Sequence, residues 1–283
     1  MHLLSGKLIA DAVLQKAAQM IRTNLLSPGL AVVLIGSDPA SEIYVGLKEK
    51  AAVRIGIRFE KHTLSAAASE LEVRAIIEAL NGRSDIHGII VQLPLPENFD
   101  TEEIIRAIAP TKDADGFHPE TVERFLMGRE IIPPVFPRAI HALLQSTGVS
   151  LQGKRAIVFA NSELFANVMS KVLASNGIIA ENSLRLGEAE AIKRLTEFEI
   201  IISAKGTPNF FKGDMVRPGA ILIDGGIVRE GEKVFSDADQ STFTSIDGFI
   251  TPVPGGVGPV TVAFLLSRVV ELALTERREE SIL

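Results

Sequence analysis

The chain has no cysteine among its 283 residues. That absence excludes disulfide bridges, thiolate nucleophiles, iron–sulfur clusters and cysteine-ligated zinc together. The histidines, His2, His62, His87, His118 and His141, show no metal-ligand spacing, so no metal site is expected. Basic charge is also in short supply: 29 lysines and arginines against 35 aspartates and glutamates leave a net charge of −6. Nucleic acid and anionic membrane both require a basic face, so neither is an expected partner, although a local basic pocket is not excluded. The amino-terminal "MHLLSGKLIADAVLQ" has no basic start and no uninterrupted apolar run, and does not read as a signal peptide. Near the other end, "PVTVAFLLSRVVELALT" carries Arg268 and Glu271 and reads as too short and too charged to span a bilayer. The expectation is a cytoplasmic protein. Neither a Gly-x-Ser-x-Gly elbow nor a P-loop occurs.

What is present is a globular balance, 46% hydrophobic and 23% charged residues. At roughly 150 residues per domain, the length suggests about two domains. Ser5 can cap a first helix running to about Thr23, where Leu8, Ile9, Ala12, Val13, Ala17 and Met20 keep helical spacing. "LAVVLIG" (30–36) reads as a buried parallel strand. A loop and helix follow, closed by Gly56, then a strand in "IRFEKHTL", a helix over about 68–81 and a strand over 86–92. "LPLP" ends regular structure because proline lacks an amide donor and fixes φ. The segment 110–120 reads as loop. A second β/α series begins at 154–160, with a helix over 163–176, a strand in "GIIAE", a helix over 187–196 and strands at 199–204 and 219–226. The loop 251–259 precedes a long last helix to about Arg277. Alternating strands and helices make this an α/β protein. The domain boundary is expected in helical structure near 118–150, and the last helix is expected to return to the first domain.

Four constellations could carry chemistry. The only tyrosine, Tyr44, stands four residues before Lys48 in "YVGLK", so a helix would put a phenol and an ammonium on one face. A lysine held among apolar neighbours has a lowered pKa and can exchange protons near neutrality. The plain alternative is a solvated surface pair. Tyr-x-x-x-Lys also occurs in short-chain dehydrogenases, but there the nucleotide loop precedes the pair, the reverse of the order here. Gln92 in "VQLPLP" sits where a strand end meets a proline-broken loop, the place where open α/β sheets bind ligands; alternatively its amide only satisfies backbone. In "KDADGF", Asp113 and Asp115 flank a turn at Gly116. A carboxylate there can accept a fork of N–H bonds, or can simply be turn chemistry. Finally, "TPVPGGVGP" places Gly255, Gly256 and Gly258 just before a helix, a backbone suited to close approach by a ligand.

Taken in series, "YVGLK", "VQLPLP", "KDADGFHP", "KGDMVRPGAILIDGGI" and "TPVPGGVGPVT" resemble the bifunctional methylenetetrahydrofolate dehydrogenase/cyclohydrolase family over nearly the whole chain. The resemblance implies an α/β folate-binding catalytic domain (1–135 plus 258–283) and a Rossmann-like NAD(P)-binding domain (136–257), with the C-terminal helix returning to the first. It implies a homodimer acting in one-carbon metabolism, on the route to purines, with tetrahydrofolate derivatives as substrates and no metal. It further implies that Lys48 is the catalytic lysine, which assists hydride transfer and handles protons in the hydrolysis, that Gln92 holds and tunes it and that Tyr44 lies along the pterin. Asp115 would grip the amino-pyrimidine edge, Ser41 would stand beside the site, and Pro254, Gly255 and Gly256 would line the folate pocket.

On the nucleotide side the chain departs from the family's pattern. In "FANSELFANVM", Ala160 and Ala166 replace glycines, Ser162 is kept, Asn161 stands where arginine is frequent and Val168 where proline is usual. An alanine methyl narrows the approach to a pyrophosphate. Glu181 lies about 20 residues on, where a Rossmann acid bonds the ribose 2′-hydroxyl, while Arg185 nearby argues for a 2′-phosphate; the reading leans to NAD over NADP. Gly206 in "SAKGTP", and Gly226 and Ile227 in "DGGI", match loops that the family places against the nicotinamide half. "VFPRA" replaces a Cys-Thr-Pro segment, and the roles of Val135 and Phe136 are unassigned; of that segment Pro137 is kept. A working bifunctional enzyme is expected. A cyclohydrolase with a degenerate nucleotide site and a non-catalytic folate-binding protein are the alternatives.

Overall fold

The computed structural model describes residues 1–130, 132–230 and 233–280. It divides into two compact units, Asp11–Val135 with Val262–Leu283, and Met1–Ala10 with Phe136–Thr261. The chain opens with the short strand β1 (His2–Leu3) and helix α1 (Lys7–Thr23), where the Ser5 hydroxyl accepts the Lys7 amide. Within the first unit follow β2 (Gly29–Ile35), α2 (Pro39–Ile55), β3 (Arg58–Leu64), α3 (Glu70–Asn81), β4 (Gly88–Val91), α4 (Thr101–Arg106) and α5 (Pro119–Leu126).

The unit is built on a parallel sheet in the order β3-β2-β4. All of β2 is buried, as its unbroken Leu30–Ile35 apolar run requires of a central strand. The edge strand β3 carries Arg58, Glu60 and Lys61 in partly or fully exposed positions, which discourages further pairing. Helix α2 has a proline in its first turn, Asp38 as N-cap accepting the Ser41 amide at 2.8 Å, and Gly56 closing it at φ +91°. Ser69 and Glu72 form a reciprocal capping box on α3. That helix turns Val73, Ile77 and Leu80 onto Ala31, Val33, Ile89 and Val91 of the sheet. Burying a side chain such as Ile77 contributes about 1.5–3 kcal/mol.

The second unit contains α6 (Val135–Ser146), β5 (Arg155–Ala160), α7 (Glu163–Ser175), β6 (Ile179–Asn182), α8 (Ser183–Leu186), α9 (Glu188–Lys193), β7 (Ile200–Ala204) and β8 (Ala220–Asp224). A hairpin, β9 (Ile227–Glu230) and β10 (Lys233–Ser236), and β11 (Gly248–Ile250) complete it. Its sheet runs β1-β11-β8-β7-β5-β6, with every neighbouring pair parallel. Because β1 pairs with β11, residues Met1–Ala10 group with this unit, whereas the sequence reading assigned 1–135 to the first domain. Phe159, Phe198, Phe211 and Phe243 fill the core on one side of the sheet, with Phe159 edge-on to Phe211 at 5.0 Å. The chain passes from β5 to β6 on one side and to β7 on the other, so a topological switch point lies at the carboxyl end of β5.

The last helix, α10 (Val257–Glu280), is longer than the sequence reading allowed. An 18-residue window within Val257–Arg278 has a mean hydropathy of 1.7, so by length and composition alone the helix could cross a membrane, which corrects the expectation that it is too short and too charged. Over half of that window is buried in the protein, and Leu265, Leu266, Val269 and Val270 are core residues. In the first unit, its end lies beside the end of α1, where Arg277 donates to the Asn24 carbonyl.

Candidate active site

In the first unit the geometry centres on Lys48. Ser41, Tyr44 and Lys48 are spaced three and four residues apart on α2, so they share one face. Ser41 is buried; Tyr44 and Lys48 are partly exposed. Gln92 follows β4 directly and is buried. Its Oε1 accepts a hydrogen bond from Lys48 Nζ at 2.7 Å, and its Nε2 donates to the Leu93 carbonyl at 2.7 Å. The second bond fixes which end of the amide faces the lysine. The Leu93–Pro94 peptide is cis.

Burial lowers the pKa of Lys48, and Asp115 opposes that shift. Burial raises the pKa of Asp115; Lys48 and Arg268 oppose it, and Asp113 adds to it. The two residues are therefore an electrostatically linked acid and base at the end of one sheet, with proton affinities moved toward neutrality. This is more than the solvated surface pair that Tyr44 and Lys48 could have been.

The two aspartates divide the roles that the sequence left open. Asp113 is turn chemistry: its Oδ1 accepts the Gly116 amide and its Oδ2 the His118 amide, both at 2.9 Å. Asp115 stands between these anchors in the chain, and its carboxylate interacts electrostatically with Lys48. Gly116 has φ +78°, and a Cβ there would meet the Pro134 backbone at 2.9 Å, so the turn requires glycine. The segment 110–120 is not all loop, since α5 begins at Pro119 with His118 as its N-cap.

A residue the sequence reading passed over completes this cluster. Arg268, on α10, is only 5% exposed, and its Nε donates to the Asp113 carbonyl at 3.0 Å. The available signal was a lone arginine between Leu265–Leu266 and Val269–Val270, on a helix face that otherwise reads as core.

In the second unit, the predicted nucleotide residues gather at the switch point. Ala160 ends β5, and Ser162 caps α7 by accepting the Phe165 amide at 3.4 Å. The remaining first-turn amides of such a helix have no carbonyl within it to donate to, which suits an anion. Asn161 Nδ2 donates to the Lys205 carbonyl at 2.6 Å, tying the β5 loop to the β7 loop across the crevice. Ala160 is 5% exposed and Ala166 1%, so both methyls are absorbed by the interior.

The loops after β7 and β8 hang on two buried aspartates. Asp237 accepts from Ser203 Oγ at 2.5 Å, from the Lys205 amide at 2.9 Å and from the Thr207 amide at 2.7 Å, which holds the loop containing Gly206. Asp224 accepts the amides of Gly226, Asp237 and Ala238. Burial pushes Asp224 up to about 7, with the Asp237 carboxylate adding to the shift and the amide of Ala238 opposing it most. A Cβ on Gly226 would strike the Asp237 carboxylate at 2.1 Å, so this glycine is required by close approach. Phe136 now has a role: its ring lies where a Cβ on Gly225 would fall, 2.7 Å away, and packs on Phe165 at 5.3 Å. Pro254, Gly255 and Gly256 belong to this unit, in the turn between β11 and α10; Gly255 has φ +105° and its carbonyl accepts the Gly6 amide at 2.9 Å.

Glu181 differs in setting from the sequence reading. Its carboxylate is paired with Arg155 at 2.9 Å and Arg194 at 3.2 Å, and Arg155 hydrogen-bonding with its side chain lowers its pKa first among several causes. Arg155 is the first residue of β5, so the acid is drawn back along the sheet rather than toward the carboxyl ends of the strands. Arg185 donates to Asn167 Oδ1 on α7 at 2.7 Å. Among the described residues no group of acids and histidines could hold a metal ion.

A parallel sheet with its loops tied at the switch point, in a chain that also carries a separate α/β unit bearing a linked lysine and aspartate, defines a Rossmann-type enzyme with a second, catalytic unit. The chain belongs to the tetrahydrofolate dehydrogenase/cyclohydrolase family. Residues 4–115 match the family's catalytic domain, and residues 134–277 match its NAD(P)-binding domain. It is 39% identical to the bifunctional protein FolD of Pelobacter propionicus over 277 residues, covering 96% of this chain and 97% of that protein. It is 40% identical to FolD of Moorella thermoacetica over 277 residues, with 96% and 98% covered. The crystal structure of the bifunctional methylenetetrahydrofolate dehydrogenase/cyclohydrolase FolD from Campylobacter jejuni superposes with a TM-score of 0.89 at 32% identity, covering 98% of this chain and 99% of that one. The Trypanosoma brucei enzyme, solved with NADP and an inhibitor, gives 0.88 at 28% identity, with 98% of each chain covered.

Proposed function

We propose that this protein oxidises 5,10-methylenetetrahydrofolate to the 5,10-methenyl cation, with NAD(P)+ as the hydride acceptor, and hydrolyses that cation to 10-formyltetrahydrofolate. The observation that carries the reading is the Lys48–Gln92 bond at 2.7 Å beside Asp115. Burial makes Lys48 give up its proton more readily than a solvated lysine does, and the deprotonated Nζ can take a proton from the water that adds to the cation. Gln92 aims Nζ by accepting one of its hydrogens. Asp115 offers a carboxylate to the amino-pyrimidine edge, where two N–H groups fit one carboxylate. Tyr44 and Ser41, on the same face of α2 as Lys48, bound the pterin. The unit Asp11–Val135 with Val262–Leu283 is the folate unit in this reading.

The residues at the switch point fit a dinucleotide. Asn161, Ser162 and the first turn of α7 would hold its phosphates, and the loops of Gly206, Gly226 and Ile227 its nicotinamide half. The buried methyls of Ala160 and Ala166 argue for a usable site over a degenerate one. The lean to NAD rested on an unencumbered Glu181. With that acid paired to Arg155 and Arg194, its repulsion of a 2′-phosphate is largely offset, and the reading becomes use of both nucleotides.

The test is a pair of assays on the purified protein. One follows methylenetetrahydrofolate-dependent reduction of NAD+ and of NADP+ in parallel; the other follows loss of methenyltetrahydrofolate absorbance above its spontaneous rate. The expected result is activity in both, with kcat/KM for the two nucleotides within about tenfold. Hydrolysis without reduction of either nucleotide leaves the cyclohydrolase-only alternative, and silence in both leaves a binding protein.

A further inference from the structure

Arg268 is a buried cation that the reading above does not use. Three observations describe its setting. Its guanidinium lies against the turn that presents Asp115: Nε donates to the Asp113 carbonyl at 3.0 Å, and Nη1 lies 3.3 Å from where a Cβ on Gly116 would fall. Nη1 is fully buried and has no hydrogen-bond partner among the described residues. The turn itself is pinned from its other sides, by Asp113 to the amides of Gly116 and His118 and by the Val135 amide to the Asp115 carbonyl at 3.0 Å.

A buried guanidinium with an unmet donor is unfavourable for stability, and an apolar side chain of similar size would pack there without that cost. Its presence is better explained by its field. Asp115 is faced by Lys48 from α2, by Asp113 from its own turn and by Arg268 from α10. Burial and Asp113 both disfavour a charged carboxylate at Asp115, and Lys48 is itself a weakened cation. We propose that Arg268 is a positioning residue for the folate grip, bracing the Asp113–Gly116 turn from α10 and supplying the positive charge behind Asp115 that lets its carboxylate meet the amino-pyrimidine edge. This rests on the reading of Asp115 as the pterin ligand.

The experiment compares Arg268→Met, Arg268→Gln and Arg268→Lys with the parent, measuring KM for methylenetetrahydrofolate and kcat between pH 5.5 and 8.5. Gln keeps a donor for the Asp113 carbonyl without the charge, so it separates bracing from field and serves if the Met variant does not fold. Removing the cation favours protonated Asp115, so the rise of KM on the acid side should move to higher pH by roughly one unit in the neutral variants. The change in kcat should stay within about twofold, and Lys should return the profile toward the parent's. Neutral variants whose KM–pH profile superposes on the parent's, even with a lower melting temperature, would overturn the inference. So would a Lys variant shifted as far as Gln. Asp115→Asn is measured alongside. If it leaves KM unchanged, the pterin-ligand reading itself fails; if it raises KM while the Arg268 profiles stay in place, only the inference fails.

Discussion

Gln92 shows how much one amide can decide. Its Nε2 is committed to the Leu93 carbonyl, which leaves Oε1 toward Lys48 and allows only the acceptor end to meet the ammonium. Replacing it with leucine would keep the volume and remove the acceptor, leaving Lys48 both buried and misaimed. Hydrogen bonds to charged groups are worth about 1.5–3 kcal/mol, so Gln92→Leu is expected to lower kcat/KM of both reactions by roughly 10- to 150-fold. Steady-state assays check this, and a loss under threefold would mean that Gln92 is only a strand-end residue. Tyr44, Lys48, Gln92 and Asp115 were legible because each sits in a short motif with a reason for its spacing. Arg268 was not, because its partners lie 155 residues away in sequence and its own neighbours read as core. Glu181 was legible as an acid at a strand end, but the two arginines that hold it come from separate segments, and no local pattern joins them.

At the scale of elements, the strand-end loops of the second unit are held by carboxylates rather than by packing alone. Asp237 gathers three donors from the β7 loop, and Asp224 three amides from the β8 loop and the segment after β10. Asp224 has a folded-state pKa of about 7, above the value near 3.9 expected of an unfolded chain. The folded protein therefore binds the extra proton between those values. The stability this contributes is full below the unfolded value and is lost as pH rises through about 7. Thermal melts between pH 5 and 8.5 should show the parent losing melting temperature more steeply than Asp224→Asn; parallel slopes would contradict this account. The parallel strands and the capped helices were readable, since apolar runs and Ser, Asp, Pro and Gly punctuation act locally. The two-residue β1 and the β9–β10 hairpin were not, because pairing defines them and neither carries a periodic signal.

For the whole molecule, the two-unit α/β organisation follows from two separate alternations of strand and helix, and the family comparisons agree with it. What the sequence could not carry is the membership of the ends. β1 joins the second unit through β11, while residues from Val262 onward join the first. Both are long-range pairings with no composition of their own. One lysine, Lys48, is proposed to serve both reactions, and Lys48→Met in both assays on the same preparation tests this most directly. Methionine keeps the length and apolar stem, so the helix and its packing should persist, with a melting temperature near the parent's. The predicted result is loss of methenyltetrahydrofolate hydrolysis and of nucleotide reduction, each by about 10²-fold or more. Retention of both activities at near-parent rates would contradict it.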